Sequence, residues 1–245
     1  MNIAIIIGRK GSKGYPNKNI LKVDGKRLCE YPIIAAKNCR EISKIYVSTD
    51  CPTIKKISKK HNCTIINRPK NLTNSKALGD HVFEHAYFEV KKKNKRKINF
   101  VALLFANAPL VTSKLLTNAI NKLKKNKKAD SVVSTSIYNM WSPLRARKLN
   151  KSGFLKPFVP FSTFGNPKTL NCDRDSQGNV YFADMSLSLV RAKCLEKLDK
   201  GLLPQKWMGK NILPIECYGG LDVDYEWQIP QVKFLLKKNG KKSSR

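Results

Sequence analysis

The most distinctive chemical feature of the sequence is a glycine-rich, cationic segment that follows its first apolar run. The segment, RKGSKGYPNKN, spans residues 9–19 and comes directly after the aliphatic residues 3–7. Its glycines permit positive φ and close approach of the backbone to a ligand, and exposed amides in such a turn can form an anion-binding nest. Arg9, Lys13 and Lys18 add positive charges that a polyphosphate would neutralise. The segment therefore suits a chain of phosphates, although glycine and lysine alone are also compatible with an ordinary basic turn.

A pair of carboxylates lies near the other end of the chain. Asp222 and Asp224 alternate by two, so in an extended backbone both side chains point to the same side and could share one hard cation. The alternative is that Asp224 caps the last predicted helix, which begins just after it. On these residues alone both interpretations of the pair stay open.

Alternating apolar blocks predict the framework that must hold these groups. Residues 2–8 form a near-continuous aliphatic run, which is typical of a strand covered on both faces of a parallel sheet. Strands and amphipathic helices are predicted to alternate from there, with strands at 44–50, 64–66, 100–105 and 130–134 and helices at 28–40, 52–61, 78–90 and 113–125. This order predicts an α/β fold of three layers, with an open, mostly parallel sheet between helices. In such sheets ligands bind beyond the carboxyl ends of the strands, where residues 9–19 are expected.

The alternation breaks between residues 138 and 178. This stretch is rich in proline and aromatic residues, including Trp141, Phe154 and Phe158. It predicts an inserted lobe, at 138–178, within a single domain that spans residues 1–245. The aromatic side chains could form a small core or a subunit interface, and an interface is favoured because aromatics are enriched there.

The composition is that of a globular protein without membrane insertion. Hydrophobic residues make up 41% of the 245 residues, and no apolar run approaches the roughly 20 residues needed to cross a bilayer. The seven cysteines include no C-x-x-C pair, so free thiols are expected rather than a metal or redox centre. Because Met1 and Asn2 lead straight into a strand pattern, without a secretory signal, a cytoplasmic location is expected.

The formal net charge of +31 is the strongest argument for a nucleic-acid partner. Most of the cations are lysines, however, whereas base readout favours arginine. They also cluster at the ends of predicted helices, where they complement the helix dipole. No recognition helix, zinc finger or aromatic stacking motif accompanies the charge, so nucleic-acid binding is not expected as the main role.

The order of residues in segment 9–19 resembles the nucleotide-binding signature of the acylneuraminate cytidylyltransferases, the CMP-sialic acid synthetase family. The shared pattern is Arg9-x-Gly11-Ser12-Lys13-Gly14-x-Pro16-x-Lys18-Asn19-Ile20. Further matching motifs follow in the family's order, and they are Val47-Ser48-Thr49-Asp50, Arg68-Pro69, Ala108-Pro109-Leu110, Asp130-Ser131-Val132 and Asp222-Val223-Asp224. The resemblance covers essentially the whole chain. It implies the Rossmann-like fold of the nucleotide-diphospho-sugar transferases and a homodimer that forms through the inserted lobe.

The same resemblance implies an enzyme that couples CTP to a sialic-acid-like (nonulosonic) sugar acid, with Mg²⁺, to give a CMP-sugar and pyrophosphate. The residues that it assigns to CTP are Arg9, Gly11, Ser12, Lys13, Lys18, Asn19, Arg68, Asn107 and Ala108. Lys18 is expected to pair with the departing phosphates, and Asp222 and Asp224 are expected to bind the metal. Fixed cations and a metal suit this reaction, because negative charge builds up on the equatorial oxygens and on pyrophosphate as the α-phosphate is attacked.

The sequence departs from the family where the acceptor sugar is expected. Phe105 stands where the family usually has glutamine, Val111 replaces an arginine, and Asp184-Met185 replaces an Asn-Gly pair. These departures indicate either an unusual nonulosonic acid or a loss of activity. The predicted acceptor contacts are Phe105, Arg174, Gln177, Tyr181 and Asp184.

Two alternatives to this function stay open on the sequence. A nucleotidyltransferase of the same fold could use another sugar or another nucleoside triphosphate. A catalytically silent relative could bind polyanions through its excess positive charge, but retention of both the cationic segment and the aspartate pair speaks against it.

Overall fold

The computed structural model describes residues 1–12, 14–171, 173 and 178–243. Its strands are β1 Asn2–Ile7, β2 Lys22–Val23, β3 Lys26–Arg27, β4 Lys44–Ser48, β5 Thr64–Ile66, β6 Phe100–Phe105, β7 Ser131–Ile137, β8 Arg147–Leu149, β9 Leu155–Pro157, β10 Tyr181–Arg191 and β11 Ile212–Glu216. Its α-helices are α1 Glu30–Lys37, α2 Pro52–Lys60, α3 Gly79–Lys93, α4 Ser113–Lys125, α5 Ala192–Glu196 and α6 Gln228–Ser243. Within these ranges no helix has the length and apolar character that a bilayer span requires.

A seven-stranded sheet forms the centre of the described part of the chain, in the order β11-β7-β10-β6-β1-β4-β5. β1 lies between β6 and β4 and pairs with both in parallel. β10 runs antiparallel between β6 and β7, while β11 pairs with β7 and β5 with β4 in parallel. The mostly parallel α/β sheet that the sequence predicts is therefore confirmed.

Helices cover both faces of this sheet and create two hydrophobic cores. α1, α2 and α4 pack on one face through residues such as Ile33, Ile54 and Leu116. α3 and α5 pack on the other face, where Phe83 of α3 is fully buried. Residues 3–7 of β1 alternate between the two cores and are all buried, which is why this strand is an unbroken aliphatic run.

The carboxyl ends of β1, β4 and β6 lie side by side, so the loops that follow these strands meet along one border, the carboxyl edge. The amide of Gly8 donates to the carbonyl of Ser48 at 3.3 Å, and the amide of Ala106 donates to the carbonyl of Ile7 at 2.9 Å. Gly8 has no room for a side chain, because a Cβ there would lie 2.6 Å from the Cβ of Ala106. The cationic segment therefore leaves the sheet at the place where the α/β fold binds ligands.

Between β7 and β10 the chain leaves the central sheet. The described part of residues 138–178 contains the hairpin β8–β9 and short 3₁₀ turns. Large apolar side chains are exposed there, and they are Met140, Trp141, Leu149, Phe154, Leu155 and Phe158. Whether this exposed apolar surface forms a dimer interface stays a prediction.

Candidate active site

A cleft of about 420 Å³ opens at the carboxyl edge of the sheet. Residues that are far apart in the sequence meet on its walls. The predicted nucleotide and metal residues that line it are Arg9, Ser12, Lys18, Asn19, Arg68, Asn107, Asp222 and Asp224. The fold thus brings the cationic segment and the aspartate pair together across one cavity.

Two of the predicted nucleotide residues lie beside the cleft rather than on its wall, and a third is outside the described residues. Gly11 adopts a φ of +71°, and its carbonyl accepts a hydrogen bond from Nη1 of Arg9 at 2.6 Å. Ala108 is fully buried, and its amide donates to the carbonyl of Phe105 at 3.1 Å. Lys13 lies outside the described residues. Gly11 and Ala108 therefore shape the backbone around the cleft.

Hydrogen bonds fix the cationic segment against the sheet. The amide of Lys10 donates to Oδ1 of Asp50 at 2.8 Å, which ties the segment to the loop after β4. Nδ2 of Asn19 donates to the carbonyl of Arg9 at 3.1 Å, so the two ends of the segment are joined. Asn19 is only 7% exposed, and this bond satisfies a side chain that would otherwise be costly to bury.

The aspartate pair lies in the loop between β11 and α6, and a buried residue between its two members anchors it. Val223 is fully buried against a small apolar cluster, while Asp222 and Asp224 on either side of it both line the cleft. Nδ2 of Asn107 donates to Oδ2 of Asp222 at 3.2 Å and to the carbonyl of Val223 at 2.9 Å, and the amide of Val223 donates back to the carbonyl of Asn107 at 2.8 Å. Asn107, in the loop after β6, therefore holds Asp222 and the backbone of Val223 in place through hydrogen bonds.

Lys18 and Asp224 form an ion pair across the cleft, although 206 positions separate them in the sequence. The Lys18 side chain is 13% exposed and that of Asp224 is 52% exposed. The Lys18 side chain is thus largely buried, while the carboxylate of Asp224 is accessible to a ligand. This contact joins the predicted phosphate-binding and metal-binding residues directly.

Burial and nearby charges shift two pKa values in the cleft. Burial raises the pKa of Asp222, the like charge of Asp224 raises it further, and Lys18 opposes the shift. Burial lowers the pKa of Arg68 to about 10, with Asp50 opposing and Arg9 reinforcing the shift. Arg68 stays charged at neutral pH, and its Nη2 donates to the carbonyl of Ser48 at 2.7 Å.

The donor set fits Mg²⁺ bound together with a phosphate-bearing substrate. Asp222 and Asp224 supply two carboxylates on one wall, and the Lys18 ammonium already lies against Asp224 as a positive group. No group of three or more histidine, cysteine or acidic side chains that could hold a metal occurs in the described residues. Magnesium is commonly held by one or two carboxylates, with substrate phosphates and water completing the octahedron.

One of the predicted acceptor residues lines the cleft. The ring of Phe105 lies on its wall and packs edge-on against Phe83, with centroids 5.4 Å apart. Tyr181 is 57% exposed at the start of β10, and Asp184 is 6% exposed in a buried hydrogen-bond network, so the structure does not place either on the cleft wall. Arg174 and Gln177 lie outside the described residues.

Sequence reasoning missed two residues that shape the site. Tyr225 lines the cleft and stacks on Trp227, with ring centroids 6.2 Å apart and planes at 13°. Its position next to Asp224 was the available signal. Asp50 was noted only as part of a motif, yet it holds the backbone of the cationic segment at Lys10.

A larger depression, of about 1090 Å³, lies at the opposite border of the sheet, between the amino ends of the strands. Its lysines include Lys91 and Lys193, which pair with Glu196 and Asp130 at 2.6 and 2.7 Å. Its lining, within the residues that the structure describes, has neither a glycine turn nor a pair of aspartates facing a cation. The smaller cleft is therefore the better candidate for chemistry.

The family comparison agrees with this assignment. The model of the cytidylyltransferase family matches residues 3–154. The chain belongs to this family. The matched region of the cytidylyltransferase includes the cationic segment, Arg68 and Asn107, and it ends before the aspartate pair.

Relatives of this cytidylyltransferase support the family and the fold. It is 30% identical over 148 residues to the pseudaminic acid cytidylyltransferase and UDP-2,4-diacetamido-2,4,6-trideoxy-beta-L-altropyranose hydrolase of Helicobacter pylori, across 60% of this chain and 28% of that protein. It is 32% identical over 126 residues to the pseudaminic acid cytidylyltransferase of Campylobacter jejuni, across 51% of this chain and 54% of that protein. The chain thus spans about half or less of the length of these curated relatives.

A solved structure extends the likeness of fold to the whole chain. CMP:2-keto-3-deoxy-manno-octonic acid synthetase complexed with CTP superposes with a TM-score of 0.67 at 14% identity. The superposition covers 97% of this cytidylyltransferase and 99% of that chain. The described strands and helices, including those beyond residue 154, therefore share the fold of that synthetase.

Proposed function

We propose that this cytidylyltransferase couples CTP to a sialic-acid-like (nonulosonic) sugar acid and releases pyrophosphate. The observation that carries the proposal is the convergence of Arg9, Ser12, Lys18 and the Asp222–Asp224 pair on one cleft. Family membership supports CTP as the nucleotide. The names of the two pseudaminic acid cytidylyltransferases to which the chain is similar support a nonulosonic acid as the acceptor.

In this proposal the cationic segment binds the triphosphate. Arg9 contributes a guanidinium group and Ser12 a hydroxyl on the wall where the segment leaves β1. The ammonium of Lys18, held beside Asp224, donates to phosphate oxygens as negative charge grows on the departing pyrophosphate. Because Asp50 and Asn19 hold the backbone of the segment, these donors need little reorganisation when the substrate binds.

Asp222 and Asp224 would hold Mg²⁺ in the same cleft, next to Lys18 of this segment. When bound, the ion would offset charge on the attacked phosphate and make the sugar hydroxyl a better nucleophile. Asn107 keeps Asp222 and the backbone of Val223 in place for this role. The nearby Arg68 supplies a fixed positive charge beside the nucleotide.

We propose that Phe105 contributes to the choice of acceptor sugar. Phe83 and Trp207 hold its ring at centroid distances of 5.4 and 6.2 Å. An aromatic ring offers no hydrogen bond to a sugar hydroxyl but packs well against methyl or acyl groups. The wall therefore favours an acceptor that presents an apolar substituent at this position.

We also propose that two copies of the chain pair through the lobe at 138–178. Phe154 is 68% exposed there, and aromatic side chains are enriched at subunit interfaces. Sedimentation velocity tests the assembly. The wild type is expected to sediment as a dimer and Phe154→Asp as a monomer. Phe234 is 63% exposed on α6, outside the lobe, so the control Phe234→Asp is expected to remain a dimer. A monomeric wild type would contradict the assembly.

A cytoplasmic location is the remaining part of the proposal. Six cysteines among the described residues are free and buried, and they are Cys29, Cys39, Cys51, Cys63, Cys194 and Cys217. Reduced thiols without disulfides are typical of proteins from a reducing compartment.

Calorimetric titration with Mg²⁺ and each of CTP, UTP, ATP and GTP tests the nucleotide site. CTP is expected to bind most tightly, and Lys18→Ala is expected to weaken its binding at least about tenfold, since a charge-assisted hydrogen bond contributes roughly 1.5–3 kcal/mol. Lys22→Ala is the matched control, because Lys22 is exposed on β2 and lies outside the cleft lining. Equal affinities for the two variants would contradict the assignment of Lys18.

A further inference from the structure

A buried carboxylate that the proposed reaction does not use lies close to the aspartate pair. Asp184 is only 6% exposed, and it sits at a β-bulge of β10 between Ala183 and Ser188. No lysine or arginine pairs with it among the residues that the structure describes. Its neighbour Met185 has a φ of 61°, which is uncommon for a residue other than glycine. Bulges and unusual backbone angles often serve to aim a side chain.

Asp184 connects β7 and β10 to the turn formed by residues 217–220. Its Oδ1 accepts hydrogen bonds from the hydroxyl of Ser134 at 2.5 Å and from the amide of Ser186 at 2.9 Å. Its Oδ2 lies 3.0 Å from Oγ of Ser136, and the Ser136 hydroxyl donates to the carbonyl of Cys217 at 2.5 Å. A continuous chain of polar contacts therefore runs from β10 to the start of the turn.

The Ser136 hydroxyl has a single hydrogen, so it can donate to only one of its two acceptors, the Cys217 carbonyl or the Asp184 carboxyl group. With that hydrogen on the short contact to Cys217, the contact between Ser136 Oγ and Asp184 Oδ2 needs a hydrogen from Asp184. Burial raises the pKa of Asp184, which favours the protonated acid. The titratable groups that face it are Cys217 and Tyr138, and burial raises the pKa of both, that of Cys217 to about 12.

The turn that Asp184 contacts leads directly into the aspartate pair. Its amide at Gly220 donates to the carbonyl of Cys217 at 2.8 Å, and a single residue then separates Gly220 from Asp222. A Cβ at Gly220 would overlap the carboxylate of Asp184. The backbone of the turn therefore packs against Asp184 two positions before Asp222.

We propose that Asp184 is a positioning residue that fixes the 217–220 turn through Ser136 and Gly220 and thereby sets Asp222 and Asp224 in the cleft. The inference rests on the proposed function, which gives the aspartate pair its role as metal ligand. It replaces the sequence-based assignment of Asp184 to the acceptor sugar. An asparagine could do the same work, because its amide group donates to Ser136 while its Oδ1 accepts from Ser134 and Ser186.

The affinity for Mn²⁺ in the presence of CTP, measured by electron paramagnetic resonance, tests this role. The alanine and asparagine variants of Asp184 are compared with the wild type. Asp184→Ala is expected to weaken Mn²⁺ binding by about 10–100-fold, as loss of a residue that orients metal ligands does. Asp184→Asn is expected to stay within about threefold of the wild type, since the contacts are preserved. The control is Asp130→Ala. Asp130 also anchors a turn, at 3.0 and 3.1 Å from the amides of Lys210 and Asn211, but at the opposite border of the sheet.

Hydrogen exchange of the amides in residues 217–224 gives a readout that is independent of nucleotide and metal. Asp184→Ala is expected to raise exchange at Gly220 and Val223, whereas Asp130→Ala leaves both unchanged. Should Asp184→Ala fail to fold, Ser136→Ala interrupts the same chain of contacts while Asp184 keeps its hydrogen bonds to Ser134 and Ser186, and it carries the same expectations. Unchanged exchange at these amides, or an asparagine variant as impaired as the alanine variant, would overturn the inference. If the exchange differences between the variants and the wild type are as expected but the wild type binds neither Mn²⁺ nor CTP, the proposed function is overturned instead.

Discussion

The contact between Gly8 and Ala106 gives the sharpest prediction for the carboxyl edge. Gly8 follows β1 and directly precedes the cationic segment, and Ala106 follows the neighbouring β6. A Cβ at Gly8 would lie 2.6 Å from the Cβ of Ala106 and 3.2 Å from Cδ1 of Ile54. Carbon atoms prefer separations of about 3.5–4.0 Å, so the first contact is roughly 1 Å too close. Gly8→Ala must therefore push the two strand ends apart or displace the segment.

The cost follows from the packing of a dense interior. Inserting a methyl group into a well-packed core costs about 1–3 kcal/mol. Ala106→Gly removes a buried methyl, worth about 0.8 kcal/mol, and adds backbone freedom worth about 0.5–1 kcal/mol. If the two changes were independent, the double variant would lose about 2–5 kcal/mol. Because Ala106→Gly removes the atom that the new Cβ strikes, the double variant is instead expected to lose only about 1–2 kcal/mol.

Urea unfolding of the wild type, both single variants and the double variant measures this coupling. A favourable coupling of at least about 1 kcal/mol is expected, and CTP affinity is expected to fall in Gly8→Ala and to recover in the double variant. Additive free energies within about 0.5 kcal/mol, or a Gly8→Ala variant as stable as the wild type, would refute the packing on which the position of the segment depends.

Three further predictions concern the cleft and its support. Asp224→Asn is expected to lower kcat at least about 100-fold while thermal unfolding stays within a few degrees, because the change removes a metal ligand without changing volume; wild-type turnover would contradict the metal assignment. Phe105→Gln is expected to shift acceptor preference, in kcat/KM, toward sugar acids with a hydroxyl in place of an apolar substituent, and an unchanged ranking would remove Phe105 from the acceptor wall. Because the pKa of Asp184 is raised above its ordinary value of 3.8, its contribution to stability is complete below that pH and is lost as pH rises through the folded value. The Tm advantage of Asp184→Asn over the wild type is therefore expected to grow from pH 4 to pH 8, and a constant difference would show that Asp184 does not titrate in this range.

The elements that position the cleft follow from sequence patterns with a direct physical cause. Strand β1 is predictable because both faces of a central parallel strand are buried. Its residues contribute to both hydrophobic cores and therefore form a continuous aliphatic run. Helix α4 occupies the predicted residues 113–125. Its apolar stripe gives the helical pattern, and the Thr112 side chain marks its start by accepting a hydrogen bond from the amide of Leu115 at 3.1 Å. The cationic segment is recognisable for a similar reason, because glycines and cations follow directly on that first strand.

The antiparallel course of β10 and the setting of Asp184 could not be predicted in the same way. A strand pattern carries no information about direction, and the insertion of β10 between β6 and β7 is a long-range choice. Ser134 and Ser136 have a polar character typical of exposed positions, yet both are buried because they bind Asp184. The assignment of Asp184 to the sugar came from its place in a motif, whereas its burial depends on β7 and on the turn before Asp222. Pairwise contacts across more than 30 residues decide such positions.

The most direct test of the proposed function is pyrophosphate release by the purified protein with Mg²⁺, CTP and a panel of eight- and nine-carbon sugar acids. We expect release with CTP and a nonulosonic acid, loss of release when Mg²⁺ is chelated, and no comparable release with UTP, ATP or GTP. Release that is equally fast with another nucleoside triphosphate, or no release with any acceptor from a protein that also fails to bind CTP, would contradict it.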